Sequence, residues 1–454
     1  MTLASEAKIP AGYALVRGLI RFLLALFYRR VAVVGEQHVP ETGGLVVAAN
    51  HHNSIVDAML LLAVLPRRLR TLANAPLFSH PFVGPFLRLL GALPVHRRQE
   101  AGNDPARNAA LFAATTATLR GGGAIAIFPE GRTQPEPVLL ELRTGAARML
   151  LAAAAEQSPV SLLPVGMVFH EPGTFREGEA LVLIGPPVPT AGAVALARTE
   201  SERAGRELTD ALATALRGLI VEADDRQTLH RLGLVEELWR AEGGALPADV
   251  AGRVAWRQRV VRTYRKLAEQ QPARMATLEH RLDELAAETD RAGLRPDQLE
   301  RHPTPARLAL RAGLQFVLLL LGFPLALLGI VLHVVPYELT GFVDRKMDAT
   351  DEEEATDKIA AGMVLFPLAW ALEAWGAWRL LGLWALLALL VALFPAGFFA
   401  LAWRARLDRM QSEARAFLHC LRDRDLPARL GAQQDALAEE LRALARLVPE
   451  EWPE

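Results

Sequence analysis

Cysteine is nearly absent: Cys420 is the only one in 454 residues. A lone thiol excludes an internal disulfide framework and a cysteine-based zinc site within one chain. It also fits a reducing compartment. An excess of charge of either sign is missing too. Fifty Lys and Arg stand against 51 Asp and Glu, so the bulk balance points to no nucleic-acid partner. A clean signal peptide is not seen at the start: the apolar run at 19–27 is short, arginines flank it, and no small-residue cleavage site follows. No internal repeat is found. What the chain has in surplus is apolar side chain, 51% of its residues. That predicts a membrane part beside folded domains.

Composition divides the chain into five regions. Residues 1–30 carry an apolar stretch interleaved with Arg17, Arg21, Arg29 and Arg30. Too short and too charged to span, it is expected as an amphipathic helix lying in the membrane interface, with packing on the next domain as the alternative. Residues 31–190 alternate short buried-strand patterns with helical ones. The strands are LVVAAN at 45–50, AIAIFPE at 124–130, SLLPVGMVF at 161–169 and ALVLIGPPV at 180–188. This rhythm predicts an α/β domain with a mostly parallel sheet flanked by helices, its chemistry at the carboxyl ends of strands. Residues 191–306 read as amphipathic helices. Residues 307–404 hold two or three membrane segments. The uncharged run at 312–335 is long enough to span, or is re-entrant at Gly322-Phe323-Pro324. Residues 359–378 and 381–403 suggest a hairpin with an elbow at Arg379. The basic flanks, Arg307 and Arg311 before, Arg404 and Arg406 after, both favour the cytoplasm, which three full spans cannot satisfy. Pro324, Pro367 and Pro395 are expected to kink these helices, and Glu373 to face protein rather than lipid. A charged helical tail, 405–454, closes the chain.

The most polar motifs each follow a strand. In Asn50-His51-His52-Asn53-Ser54-Ile55-Val56-Asp57, a histidine at a strand end precedes an aspartate. The carboxylate can fix one ring nitrogen, leaving the other to take a proton from an alcohol. A substrate hydroxyl can be the nucleophile, so neither serine nor cysteine is needed. Turn capping by Asn53, Ser54 or Asp57 is the plainer explanation. Phe128-Pro129-Glu130-Gly131-Arg132-Thr133 places a carboxylate, a glycine and a guanidinium together. Arginine grips phosphate in bidentate fashion, and glycine lets backbone approach a ligand. Gly91 to Arg98, GALPVHRR, ends in two arginines that suit an anionic head group. His96 and His333 read as structural.

Taken in order, NHH…D, LGALPVHRR, FPEGRT and LLPVGMVF resemble the four blocks of the glycerol-phosphate and lysophosphatidic acid acyltransferase family. The resemblance covers residues 12–190, and the membrane-tailed chain is most similar to the longer varieties. It implies acyl transfer from an acyl-CoA or acyl-carrier protein thioester to a glycerol phosphate or lysophospholipid hydroxyl, without metal or cofactor. Residue by residue, it implies Asp57 as the aspartate and the preceding histidine as catalytic base. The usual His-x4-Asp spacing selects His52; the asparagine before the histidine, and a subset reading NHPNSxxD, select His51, which is favoured. Arg97, Glu130, Gly131, Arg132, Thr133 and Pro164 fall on substrate-binding positions. The third block departs from the common pattern, since Arg132 precedes Thr133.

The expected protein is therefore a membrane enzyme making phosphatidic acid from 1-acyl-glycerol-3-phosphate, its catalytic domain on the cytoplasmic side of the cytoplasmic membrane. Backbone amides near the Gly131 turn are candidates for holding the oxyanion. Glycerol-3-phosphate or another lysolipid is the alternative acceptor. A non-catalytic lipid-binding membrane scaffold is the alternative from another class, and a transporter is disfavoured by so few spans.

Overall fold

The computed structural model describes residues 9–79, 83–95, 105–134, 136–155, 159–170, 175–176, 178–223, 225–241, 244, 246–292, 305–347 and 354–446. The chain divides into two compact units: Met1–Glu222 with Ala349–Ile359, and Ala223–Asp348 with Ala360–Glu454.

The first unit is built on one seven-stranded sheet. Its elements are α1 (Ala11–Phe27), β1 (Arg30–Val34), β2 (Gly44–Ala49), α2 (Ser54–Val64), β3 (Leu69–Asn74), α3 (Val83–Leu90), β4 (Leu93–Val95), α4 (Pro105–Arg120), β5 (Ala124–Ile127), α5 (Gly145–Ala154), β6 (Val160–His170), β7 (Glu179–Ile184), α6 (Ala191–Leu196) and α7 (Ser201–Arg217). The strand order is β1-β7-β6-β2-β5-β3-β4. Every neighbouring pair is parallel except β6 with β7. This is the mostly parallel α/β sheet expected from the alternating pattern.

Strand β2 shows why the sheet needs cover on both faces. All six of its residues are buried, and successive side chains point to opposite sides. Leu45, Val47 and Ala49 join a core with α1 and α2. Val46 and Ala48 join another with α5 and α7. Residues 191–217 therefore pack on the sheet, and the sheet-bearing unit extends past residue 190 to Glu222.

Helix α1 corrects part of the reading of the amino-terminal segment. Tyr13, Val16, Ile20, Leu24 and Phe27 bury one face of it in the sheet's core. Arg17 and Arg21 do not point at head groups. Arg21 donates to Ala63 O at 2.8 Å, and Arg17 to Leu65 O. The two guanidiniums thus satisfy carbonyls left over at the end of α2. The outer face of α1 stays apolar and exposed at Leu15 and Phe22.

The second unit contains α8 (Arg226–Ala241), α9 (Val250–Gln270), α10 (Pro272–Ala292), α11 (Pro305–Met347), most of α12 (Glu354–Leu381), α13 (Leu383–Arg422) and α14 (Leu426–Ala445). Helices α11, α12 and α13 are long and apolar enough to cross a membrane. Helix α11 runs unbroken through Pro324 and Pro336, so the re-entrant reading at Gly322-Phe323-Pro324 fails. The elbow between α12 and α13 is Gly382, with φ of 87°, rather than Arg379. His333 has the structural place expected of it: its ring bonds Gly329 O at 2.9 Å and packs against Phe366 and Trp370.

Candidate active site

The carboxyl end of β2 carries the site. Asn50, the residue after the strand, is fully buried. Its side chain donates to Met167 O at 2.8 Å and accepts from Met167 N at 2.7 Å. This pair clamps the strand end to β6 and leaves the following residues to turn away.

The turn is organised around one carboxylate oxygen. Asp57, in the first turn of α2 and wholly buried, accepts three hydrogen bonds on Oδ2. They come from His51 Nδ1 at 2.8 Å, His52 N at 2.9 Å and Asn53 N at 2.8 Å. The turn-capping and acid–base explanations of this motif are thus the same structure: the carboxylate that caps the turn also orients the ring. Ser54, with φ of 43°, sits in the left-handed region, where a side chain costs energy unless the surroundings over-determine it.

The two histidines part company here. His51 gives its Nδ1–H to Asp57 and stacks on Phe128, with ring centroids 4.1 Å apart and planes inclined by 12°. Its ring is 15% exposed. Its Nε2 is left to accept. His52 turns the other way and donates Nδ1–H to Gln134 O at 3.0 Å. Among the described residues no carboxylate is bonded to its ring.

Glu130 is only 3% exposed and ties the FPEGRT turn to the histidine turn. Its Oε1 accepts from His51 N at 2.8 Å, and its Oε2 from Leu140 N at 3.1 Å. Burial pushes its carboxyl above the ordinary value. The Leu140 amide, the His52 charge and the His51 amide pull it back down. Gln134 N donates to His51 O at 3.2 Å, a second strut between the turns.

Gly131 has φ of 73°, and a Cβ there would stand 2.7 Å from Arg143 Nε. The glycine is needed for its backbone shape and because Arg143 lies over it. Its amide donates to Phe128 O at 3.1 Å, so this N–H is already used inside the turn and is not free for an oxyanion. Arg132 is exposed and Thr133 half-buried beside it. Pro164 is buried inside β6, level with Ala48 and two residues short of Asn50. Arg97 and His96 lie outside the described residues.

Three contributors gave no readable signal in the sequence. Tyr28, just past α1, accepts from Asn53 Nδ2 at 2.8 Å. Burial, and next the nearby Asp57 charge, push its hydroxyl upward, so it stays neutral. Gln134 follows the third motif directly, and adjacency was its only clue. Arg143 comes eleven residues after Arg132 and is placed by the chain's return into α5; its amide donates to Pro129 O at 2.8 Å. Among the described residues no group of three or more His, Cys, Asp or Glu could hold a metal ion.

This geometry lies inside a segment that matches a family model. Residues 30–168 fit the model described as Acyltransferase. The chain is 23% identical over 310 residues to an uncharacterized acyltransferase of Schizosaccharomyces pombe, covering 49% of this chain and 46% of that protein. It therefore spans less than half of that relative's length. It is 26% identical over 160 residues to a 1-acyl-sn-glycerol-3-phosphate acyltransferase of Bacillus subtilis, covering 35% of this chain and 73% of that one. The crystal structure of a 1-acyl-sn-glycerophosphate (LPA) acyltransferase from Thermotoga maritima aligns with 46% of this chain and 78% of its own, at 21% identity and a TM-score of 0.34.

Proposed function

We propose that this chain is a membrane-bound O-acyltransferase that moves an acyl group from a thioester to the free hydroxyl of 1-acyl-glycerol-3-phosphate. The observation that carries the reading is the 2.8 Å contact between His51 Nδ1 and Asp57 Oδ2 at the carboxyl end of β2. The relatives' named substrate supports the acceptor, and the three apolar helices support the membrane.

Asp57 fixes His51 as the tautomer with its proton on Nδ1 and stabilises the imidazolium that forms later. His51 Nε2 takes the proton of the acceptor hydroxyl as its oxygen attacks the thioester carbonyl. The tetrahedral intermediate collapses, the carbon–sulfur bond breaks, and Nε2–H returns the proton to the departing sulfur. Atoms and charge balance over the cycle with no protein nucleophile. Arg132 and Arg97 are assigned to the acceptor's phosphate. Glu130 is a positioning residue here: its carboxylate takes backbone amides and holds the two turns in register. Acyl-CoA and acyl-carrier protein are both admissible donors, and the catalytic domain is placed on the cytoplasmic side.

The test is acyl transfer from radiolabelled acyl-CoA by the detergent-purified chain, with 1-acyl-glycerol-3-phosphate and glycerol-3-phosphate as acceptors. His51→Ala and Asp57→Ala are expected to lose about 10²–10⁴-fold in kcat, the usual worth of a positioned general base. His52→Ala should keep most of the rate. Loss confined to His52→Ala would move the base to His52. Activity surviving in all three variants, or no transfer from either class of donor, would overturn the mechanism.

A further inference from the structure

We propose that Arg68, Arg70 and Gly91 form a second anion site, remote from His51, that takes the phosphate group of an anionic phospholipid. The two guanidiniums meet at the glycine. Gly91 has φ of 71° and no side chain, and the space a Cβ would fill lies 3.4 Å from an Arg68 terminal nitrogen. The same point is 3.5 Å from Arg70 Nε and 3.9 Å from an Arg70 terminal nitrogen. Both arginines are half-buried and permanently charged. Neither has a carboxylate partner among the described residues. Among the described residues Arg70 donates one bond, to Thr118 Oγ1 at 3.0 Å. Arg68 lies over the Tyr13 ring at 5.7 Å, and its Nε is buried with no acceptor. Two like charges gathered on one cradle, with N–H groups unspent, suit a multidentate anion, and phosphate matches the guanidinium fork.

The cradle is not the active site. Arg70 pairs with Ile125, which pairs with Val46, so the three share one level of the sheet. His51 lies five residues beyond Val46, roughly 16 Å further along at about 3.3 Å per residue, and two strands across.

What surrounds the cradle argues for a lipid source. Leu89 is 49% exposed, Ile9 40% and Leu15 74%. Leu89 Cδ2 comes within 3.1 Å of the Cβ position of Gly12, so α1 and α3 meet beside the arginines. A phosphate on the guanidiniums would leave its chains beside an exposed apolar ridge, a pairing that binds anionic bilayer surfaces.

The full chain in detergent would be titrated with phosphatidylglycerol, phosphatidylcholine and inorganic phosphate, and bound ligand counted by native mass spectrometry. Phosphatidylglycerol is chosen because it is neither acceptor nor product of the reaction proposed above. The wild type is expected to prefer it to phosphatidylcholine. The Arg68→Gln, Arg70→Gln double variant should bind it roughly tenfold more weakly, and the double Lys variant should recover part of the loss. Leu89→Asp, which leaves the arginines in place, should weaken phosphatidylglycerol but not inorganic phosphate. Equal phosphatidylglycerol binding in the wild type and the Gln variant would overturn the site. Inorganic phosphate binding that falls with the Gln variant while phosphatidylglycerol shows no preference would overturn the lipid assignment. Should the Gln variant fail to fold, equal phosphatidylglycerol binding by wild type and Leu89→Asp overturns the lipid assignment alone.

Discussion

Glu130 shows how one side chain couples the site's chemistry to its stability. It is a buried acid whose two oxygens are each spent on a backbone amide. Burial raises its pKa above the ordinary value of 4.5, so the folded chain holds this proton to higher pH than the unfolded chain does. Its stabilising contribution is then complete below pH 4.5 and is lost as pH rises through the raised value. Glu130→Gln removes that titration. Thermal melts from pH 4 to 7 should therefore show a smaller fall with rising pH in the variant than in the wild type. The variant should also be weaker throughout by about 1–3 kcal/mol, because a Gln has one acceptor oxygen for two amides. An unchanged pH slope would mean that Glu130 is not held as described. At this scale the sequence was informative where chemistry is local. The histidine, the aspartate and the FPEGRT glutamate lie within short motifs at strand ends, and the structure brings them together. Tyr28 was silent, because its partner Asn53 is 25 positions away and only the packing of α1 joins them. Spacing arguments divided the expected base between His51 and His52; in the structure the His51 ring turns to Asp57 and the His52 ring to Gln134 O.

Among the elements, the long apolar helices depend on small residues as the strands depend on branched ones. At Gly329 of α11, a Cβ would stand 2.1 Å from Ala396 O and 2.8 Å from Ala400 Cβ, both on α13. A backbone oxygen cannot yield without moving the helix, so close approach here requires glycine. Gly329→Val should force α11 and α13 apart and lower the melting temperature in detergent by several degrees. Gly313→Val, on the same helix with nothing within 4 Å, should leave it nearly unchanged. Equal effects would mean that the contact is not a feature of the folded chain. The helical patterns between the strands and within 191–306 were legible because their apolar spacing runs over about three turns or more. Four strands were legible as buried runs. The other three were not, for separate reasons. β1 is an edge strand with no fully buried residue. β3 carries Arg70 and Asn74 within six residues. β4 has three residues, one of them Pro94. Short, edge or polar strands lack the pattern that burial imposes, and their pairing is decided by neighbours distant in sequence.

At the scale of the molecule, packing within the second unit limits how its apolar helices can cross a bilayer. Helices α8 and α10 precede the long apolar helices, and α14 follows them, yet they form one bundle. Leu441 and Leu444 of α14 line the same cavity as Leu232, Leu278 and Leu282. Arg281 reaches Glu440 at 2.6 Å, and Arg429 reaches Glu288 at 2.7 Å. Segments packed together lie on one side of any membrane crossed between them, so the apolar helices between α10 and α14 are expected to cross an even number of times. The basic flanks lead to the same place: Arg307 and Arg311 before, Arg404 and Arg406 after, share a side only if the crossings are even. Three helices have the length, but α12 is the least apolar, with a mean hydropathy of 1.4 against 2.6 and 2.5 for the other two. It also carries Glu373 and Arg379, each costly at bilayer depth. The expected arrangement has α11 and α13 crossing and α12 lying along one face. With Cys420→Ser as background, Ala276→Cys on α10 and Ala432→Cys on α14 should react with a membrane-impermeant maleimide in sealed vesicles of the same orientation. Labelling in opposite orientations would establish an odd number of crossings, and the bundle joining α14 to α8 and α10 could then not exist in the membrane.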